Sequence, residues 1–184
     1  MKDYDYSGTA TVSAPVVNAF LQSFGMYKNR GIKTICKIFS IEEFQPTPGV
    51  WYPLSRFMQS MKEFEKQFGE EFIKKVGHEI GSCAMFPDSI KTLSEFYTRT
   101  CESYFMNHQF NKGDIGNEIG RYIWTQTSDR SGVMEATNPY GCAFDNGLLI
   151  GFSELFKVNA TVTHDDGKPC RHKNGASCSY KVEW

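Results

Sequence analysis

Apolar side chains recur at intervals of three and four along WYPLSRFMQSMKEFEKQFGEEFIKKVG, at Leu54, Phe57, Met61, Phe64, Phe68, Phe72 and Val76. At 3.6 residues per turn this spacing gathers them on one side of a helix and leaves the Lys, Glu and Gln residues on the other. An amphipathic helix with an aromatic face commits the chain to a core built on helix packing.

A second stripe, Ile90, Leu93, Tyr97, Cys101 and Tyr104, runs through DSIKTLSEFYTRTCESYFMNHQ. It predicts a helix capped by Asp88 or Ser89, with Cys101 on the core side. Upstream, SAPVVNAFLQSFGMYKNRG reads as a first helix, with Pro15 early, where a missing N–H is tolerated, and Gly31 at its end. The following IKTICKIFSI is too short and too β-branched to assign.

Beyond NKGDIGNEIG the pattern changes. RYIWTQT and GVMEAT predict a hairpin turning at SDRSG, and VNATVTH and SCSYKVEW alternate as strands around the polar DDGKPCRHKNGA. Between them NPYGCAFDNGLLIGFSELFK predicts a helix with Phe144, Leu148 and Leu155 on one side and Asp145, Asn146, Ser153 and Lys157 elsewhere. Gly147 and Gly151 lie one turn apart, which lets another backbone approach closely. Helices early and strands late predict an α+β fold, helices packed on a mainly antiparallel sheet, in preference to a doubly wound one. Without repeats or a long linker, residues 1–184 are expected to form a single domain.

Composition narrows the partners. Twenty basic against 21 acidic residues leave a net charge of −1, too balanced to steer the chain towards nucleic acid or anionic lipid. MKDYDYSGTA lacks the apolar stretch of a secretory signal, and no apolar run is long enough to span a bilayer, so a cytoplasmic protein is expected. G-x-S-x-G, H-E-x-x-H, P-loop and G-x-G-x-x-G patterns are missing from the sequence. Glu70 and Glu71 point about 100° apart on a helix and do not make an acid–base pair. The chain is therefore expected to be non-enzymatic.

Six cysteines remain, and in a reducing compartment they are thiols or ligands before they are a disulfide framework. Cys142 opens the last helix, His164 ends a strand, and Cys170 and Cys178 flank the last hairpin, eight positions apart. Thiolate and imidazole suit a tetrahedral zinc site. A Cys170–Cys178 disulfide, or ordinary buried thiols, suit the same residues. His164 beside Asp165 and Asp166 also reads as a solvated loop residue, and His172 competes with it for any ligand role. Spacing leaves these alternatives open.

NPYGCAFDNGLLIGFSELF followed by VNATVTHDDGKPCRHKNGASCSYKVEW resembles the C-terminal signature of the vinyl-reductase-type small-molecule-binding domain. That domain is similar to the effector-sensing regions of phenol- and xylene-responsive activators. Its wider fold resembles haem nitric-oxide-binding and vesicle-tethering domains. The likeness is specific over about the last quarter of the chain.

The resemblance implies a structural zinc held by Cys142, Cys170 and Cys178, with His164 in place of a carboxylate. DDGKP looks like a small insertion before Cys170, so Asp165 or Asp166 is an alternative fourth ligand. It also implies an apolar pocket for a small hydrophobic or aromatic molecule. Trp124 stands where a sensor contacts its ligand, His108 offers a hydrogen bond, and Phe96, Tyr97 and Tyr104 supply lining. The plain alternatives are that the aromatics pack the core and that His108 merely ends a helix.

The expected function is thus a sensory or carrier domain that signals through a homodimer or a partner protein. The alternatives are an enzyme of pigment or aromatic metabolism, resembling tetrapyrrole vinyl reduction, and a haem-binding gas sensor using His78 or His108.

Overall fold

A computed structural model describes residues 4–110, 118–168 and 170–184. The helices are α1 (Ala14–Gln22), α2 (Lys28–Phe39), α3 (Leu54–Phe68), α4 (Glu70–Ser82), α5 (Leu93–Met106) and α6 (Cys142–Leu155). The strands are β1 (Thr11–Ser13), β2 (Trp51–Pro53), β3 (His108–Gln109), β4 (Tyr122–Ser128), β5 (Ser131–Ala136), β6 (Thr161–His164) and β7 (Cys178–Glu183). The expected α+β architecture is present: one antiparallel sheet runs β2-β1-β3, and the other, also antiparallel, runs β4-β5-β7-β6.

Two helices read as continuous are each broken at a glycine. The first stops at Gln22 and resumes at Lys28, across a short 3-10 turn that begins at Gly25 with φ +55°. The resumed helix takes in the unassigned IKTICKIF. The long aromatic helix splits at Gly69, whose φ of +86° no side-chain-bearing residue adopts readily, so α3 ends there and α4 begins at Glu70. The cap of α5 is Thr92, not Asp88 or Ser89. Its hydroxyl accepts from the Glu95 N–H while the Glu95 carboxylate accepts from the Thr92 N–H, a reciprocal box.

The Phe stripe of α3 and α4 packs against α1 and the residues that follow it. Phe24 meets Phe64 and Phe72 edge-on at 4.7 and 4.9 Å, and Phe20 meets Phe57 likewise at 5.2 Å. Cys101 is only half-buried, though it packs against the core.

The tightest packing is between α4 and α6. Gly77 and Gly81 of α4 face Gly147 and Gly151 of α6, and a Cβ on any of the four would fall on backbone of the other helix. Without side chains between them the helices touch main chain to main chain, which fixes α6 against α4. The side of this helix expected to be polar is only partly exposed: Asp145 and Ser153 are buried at 0% and 1% exposure, Asn146 is half-buried, and Lys157, just past the end of α6, is exposed. α6 is enclosed on several sides, so burial there follows partners and not amphipathicity.

Candidate functional site

The register β7–β5 and β7–β6 brings the last hairpin beneath the start of α6. There the sulfurs of Cys142, Cys170 and Cys178 form a triangle with edges of 3.2, 3.4 and 3.6 Å. A disulfide needs about 2.05 Å, whereas thiolates around one tetrahedral zinc stand about 3.8 Å apart, given Zn–S bonds of about 2.3 Å. The triangle is far from the first and near the second.

His164 completes the group, all four ligand atoms lying within 4.8 Å of one another. Its Nδ1 lies 3.0 Å from Asp166, while its Nε2 is buried without a hydrogen bond. Asp165 turns instead to Lys181, at 3.5 Å, and to Lys168. His172 lies on the open groove beside the cluster, with Glu70, Lys74 and Asn146.

Charge on the cluster is set by neighbours. A hydrogen bond from Cys142, with the Arg171 guanidinium and His164 adding to it, pulls the Cys178 thiol down to about 3. Burial pushes Cys170 up.

Behind the sulfurs lies a buried polar network. Arg171, next to Cys170, has a fully buried side chain. Its Nε donates to Cys178 Sγ at 3.2 Å, its Nη2 to Asp145 at 2.6 Å, and its Nη1 to both oxygens of Asn138. The other Asp145 oxygen accepts from the Tyr122 hydroxyl at 2.6 Å. Burial pushes the Asp145 carboxyl up to about 6 against the pull of Arg171.

Tyr122 also belongs to the wall of a cavity of about 330 Å³. Its lining comes from Pro15, Val16 and Ala19 on α1, Ile80 on α4 with Cys83, Ala84 and Met85 just past its end, Phe96, Thr100 and Tyr104 on α5, and Phe144, Leu148 and Phe152 on α6, together with His108 and Tyr140. Such a volume and such a mostly apolar lining are ordinary for a small-molecule site.

His108 Nδ1 lies 2.7 Å from the Tyr104 carbonyl, which can only accept, so Nδ1 carries the proton. Nε2 then accepts from the Tyr140 hydroxyl at 2.9 Å. Burial holds His108 neutral, its pKa lowered to about 4.

The structure thus brings Phe96, Tyr104 and His108 together on the cavity, and Cys142, His164, Cys170 and Cys178 together at the hairpin. It leaves Tyr97 and Trp124 off the cavity wall. Tyr97 donates to the Leu149 carbonyl, and the Trp124 ring lies tilted against Tyr97 at 4.7 Å while its N–H donates to Ser94. His78 lies at the surface beside Glu154. Sequence reasoning missed Asp145, Arg171, Tyr122 and Tyr140. Gly77 and Gly81, at the same spacing as Gly147 and Gly151, were the one available signal for the α4–α6 contact.

Solved structures with the same arrangement are H-NOX proteins. An H-NOX protein from S. oneidensis in the Fe(II)NO ligation state superposes with a TM-score of 0.68 at 11% identity, over 93% of this chain and 98% of that one. The unliganded Fe(II) H-NOX protein from K. algicida gives 0.60 at 12% identity, over 93% and 95%. A chain from work on haem redox potential and porphyrin distortion gives 0.62 at 15% identity, over 94% and 99%. The fold is that of H-NOX domains. At these identities the likeness concerns the fold alone.

No family model matches the sequence, and no curated protein matches it. The expected membership of the vinyl-reductase-type family is therefore corrected: the spacing of cysteines and glycines suggested it, but the structural relatives are H-NOX domains. No helix among the described residues is long and apolar enough to cross a membrane.

Proposed function

We propose that residues 1–184 form one cytoplasmic, non-catalytic sensory domain that holds a small, neutral, largely apolar molecule in the cavity between α1, α4, α5 and α6. The observation carrying this reading is the cavity's chemistry: apolar walls and a neutral His108–Tyr140 pair. With its O–H donated in a hydrogen bond to His108 Nε2, the Tyr140 oxygen is left as an acceptor for a hydroxyl on the ligand. Binding would be read by a partner protein or a second copy through the state it favours.

The fold comparisons favour the other reading, a haem-binding gas sensor. The donor set of this cavity does not fit haem. His108 is the single histidine among the described lining residues, and both of its ring nitrogens are engaged. The described lining includes no Lys or Arg to meet the haem propionates.

The metal half of the proposal is a structural zinc on Cys142, Cys170, Cys178 and His164. It is supported by the sulfur triangle, the His164 ring nitrogen close to the sulfurs and the lowered pKa of Cys178. Such a zinc would tie the start of α6 to the hairpin and supply no chemistry to a reaction.

Two measurements test these readings. Adding 2-naphthol should raise the melting temperature of the purified chain, and incubation with haemin should yield no stoichiometric Soret band. A one-to-one haem complex that loses its Soret signature in His108→Ala would overturn the organic-ligand reading.

A further inference from the structure

We propose that the sulfur cluster and the cavity are one coupled system, joined by the buried series Cys178, Arg171, Asp145 and Tyr122, so that metal occupancy sets how tightly the cavity holds its ligand. The inference rests on the cavity and zinc readings above.

Each link is short and hidden from water. The Arg171 guanidinium touches Cys178 Sγ at 3.2 Å and Asp145 at 2.6 Å, and Asp145 takes the Tyr122 hydroxyl at 2.6 Å. Both side chains of the Arg171–Asp145 pair are 0% exposed. A guanidinium is rigid and planar, so a shift of Cys178 turns the whole fork and cannot be absorbed by the side chain's far end. Burial raises the cost of leaving any of these groups unpaired, which couples the links to one another.

At the far end, the Tyr122 ring forms cavity wall and meets Tyr104 edge-on at 5.4 Å. Tyr104 in turn lies 4.4 Å from the His108 ring. A metal that gathers the three sulfurs holds Cys178 in place. It thereby holds Arg171, Asp145 and Tyr122 as well, and the ligand meets a wall already ordered. The coupling is reciprocal: ligand in the cavity must tighten metal binding by the same factor.

The test uses the full chain, with and without one equivalent of zinc, and 2-naphthol as probe. In the wild type zinc should strengthen 2-naphthol binding about fivefold or more. In Tyr122→Phe, which removes one oxygen and keeps the ring, zinc should still bind, as followed by equilibrium dialysis, but the two affinities should coincide. Asp145→Asn should do the same by a different cut.

Equal 2-naphthol affinities with and without zinc in the wild type overturn the coupling, as does coupling that survives both substitutions. Failure of zinc to bind the wild type removes the metal reading and the coupling with it. If 2-naphthol binds neither form, the cavity reading falls, and the relay is judged by the ring ¹³C resonances of labelled Tyr122. Zinc should shift them, and unmoved resonances overturn the relay.

Discussion

Arg171 and Asp145 lie 2.6 Å apart with neither side chain exposed, and between them they touch the sulfur cluster, the Asn138 turn and the cavity wall. Removing one partner of a buried pair strands the other charge. Arg171→Met should therefore cost about 3–5 kcal/mol of unfolding free energy, read by urea denaturation. The double variant Arg171→Met with Asp145→Leu should recover part of that loss, because the Asp145 carboxylate is no longer left unpaired. A single-variant loss below about 1 kcal/mol would show that the pair is not buried in solution.

Acid should weaken the fold through His108. Burial lowers its pKa to about 4, from 6.5 for a free imidazole, so the folded chain binds fewer protons than the unfolded one between those values. The contribution is fully present above pH 6.5 and is lost as pH falls to 4, amounting to about 3 kcal/mol at most. Asp145, raised from 3.8 to about 6, acts in the opposite sense, its contribution fading as pH rises through that window. Comparing wild type with His108→Asn across pH 4–7 isolates the histidine. The variant's stability should fall less towards pH 4, and parallel curves would refute the assignment.

The glycine contact between α4 and α6 predicts a sharp steric effect. In Gly147→Ala the new Cβ would fall on the Lys74 carbonyl oxygen, and since two backbones must part, a loss of about 3 kcal/mol is expected. Gly167→Ala, whose Cβ would meet only the Asp165 side chain at 3.3 Å, should change stability by less than about 0.5 kcal/mol. Thermal melts of the two variants give the comparison directly.

Metal content should follow the cluster and not cysteine number. Protein purified under reducing conditions should carry one zinc, lost in Cys178→Ser and kept in Cys101→Ser, with chelation lowering the melting temperature of wild type and Cys101→Ser but not of Cys178→Ser. Zinc retained in the Cys178→Ser chain would place the metal elsewhere.

Tyr140→Phe should separate ligands by chemistry. It removes the oxygen available to a ligand hydroxyl, at a cost of about 1 kcal/mol, or roughly fivefold in affinity, for 2-naphthol but not for naphthalene. Equal losses for both would mean the tyrosine acts through shape.

Where periodicity was the signal, the sequence by itself determined which side chains face the core, though not the breaks at Gly25 and Gly69. The Phe57–Phe64–Phe72 stripe, the Tyr122–Ala136 hairpin and the alternating last strand are local patterns, set by how side chains alternate around a helix or across a sheet. The four residues Cys142, His164, Cys170 and Cys178 could be singled out because few residue types offer such ligands, though spacing could not tell a clamp from a disulfide. Only the tertiary structure decided that their sulfurs meet at 3.2–3.6 Å, because that depends on β7 pairing with β5 and β6 under the start of α6. The same holds for Asp145. Its letters lie on what reads as a polar face, yet Arg171, 26 positions away, and Tyr122, 23 positions away, enclose it. Charge burial is a property of partners brought together by the fold, and no local pattern records it.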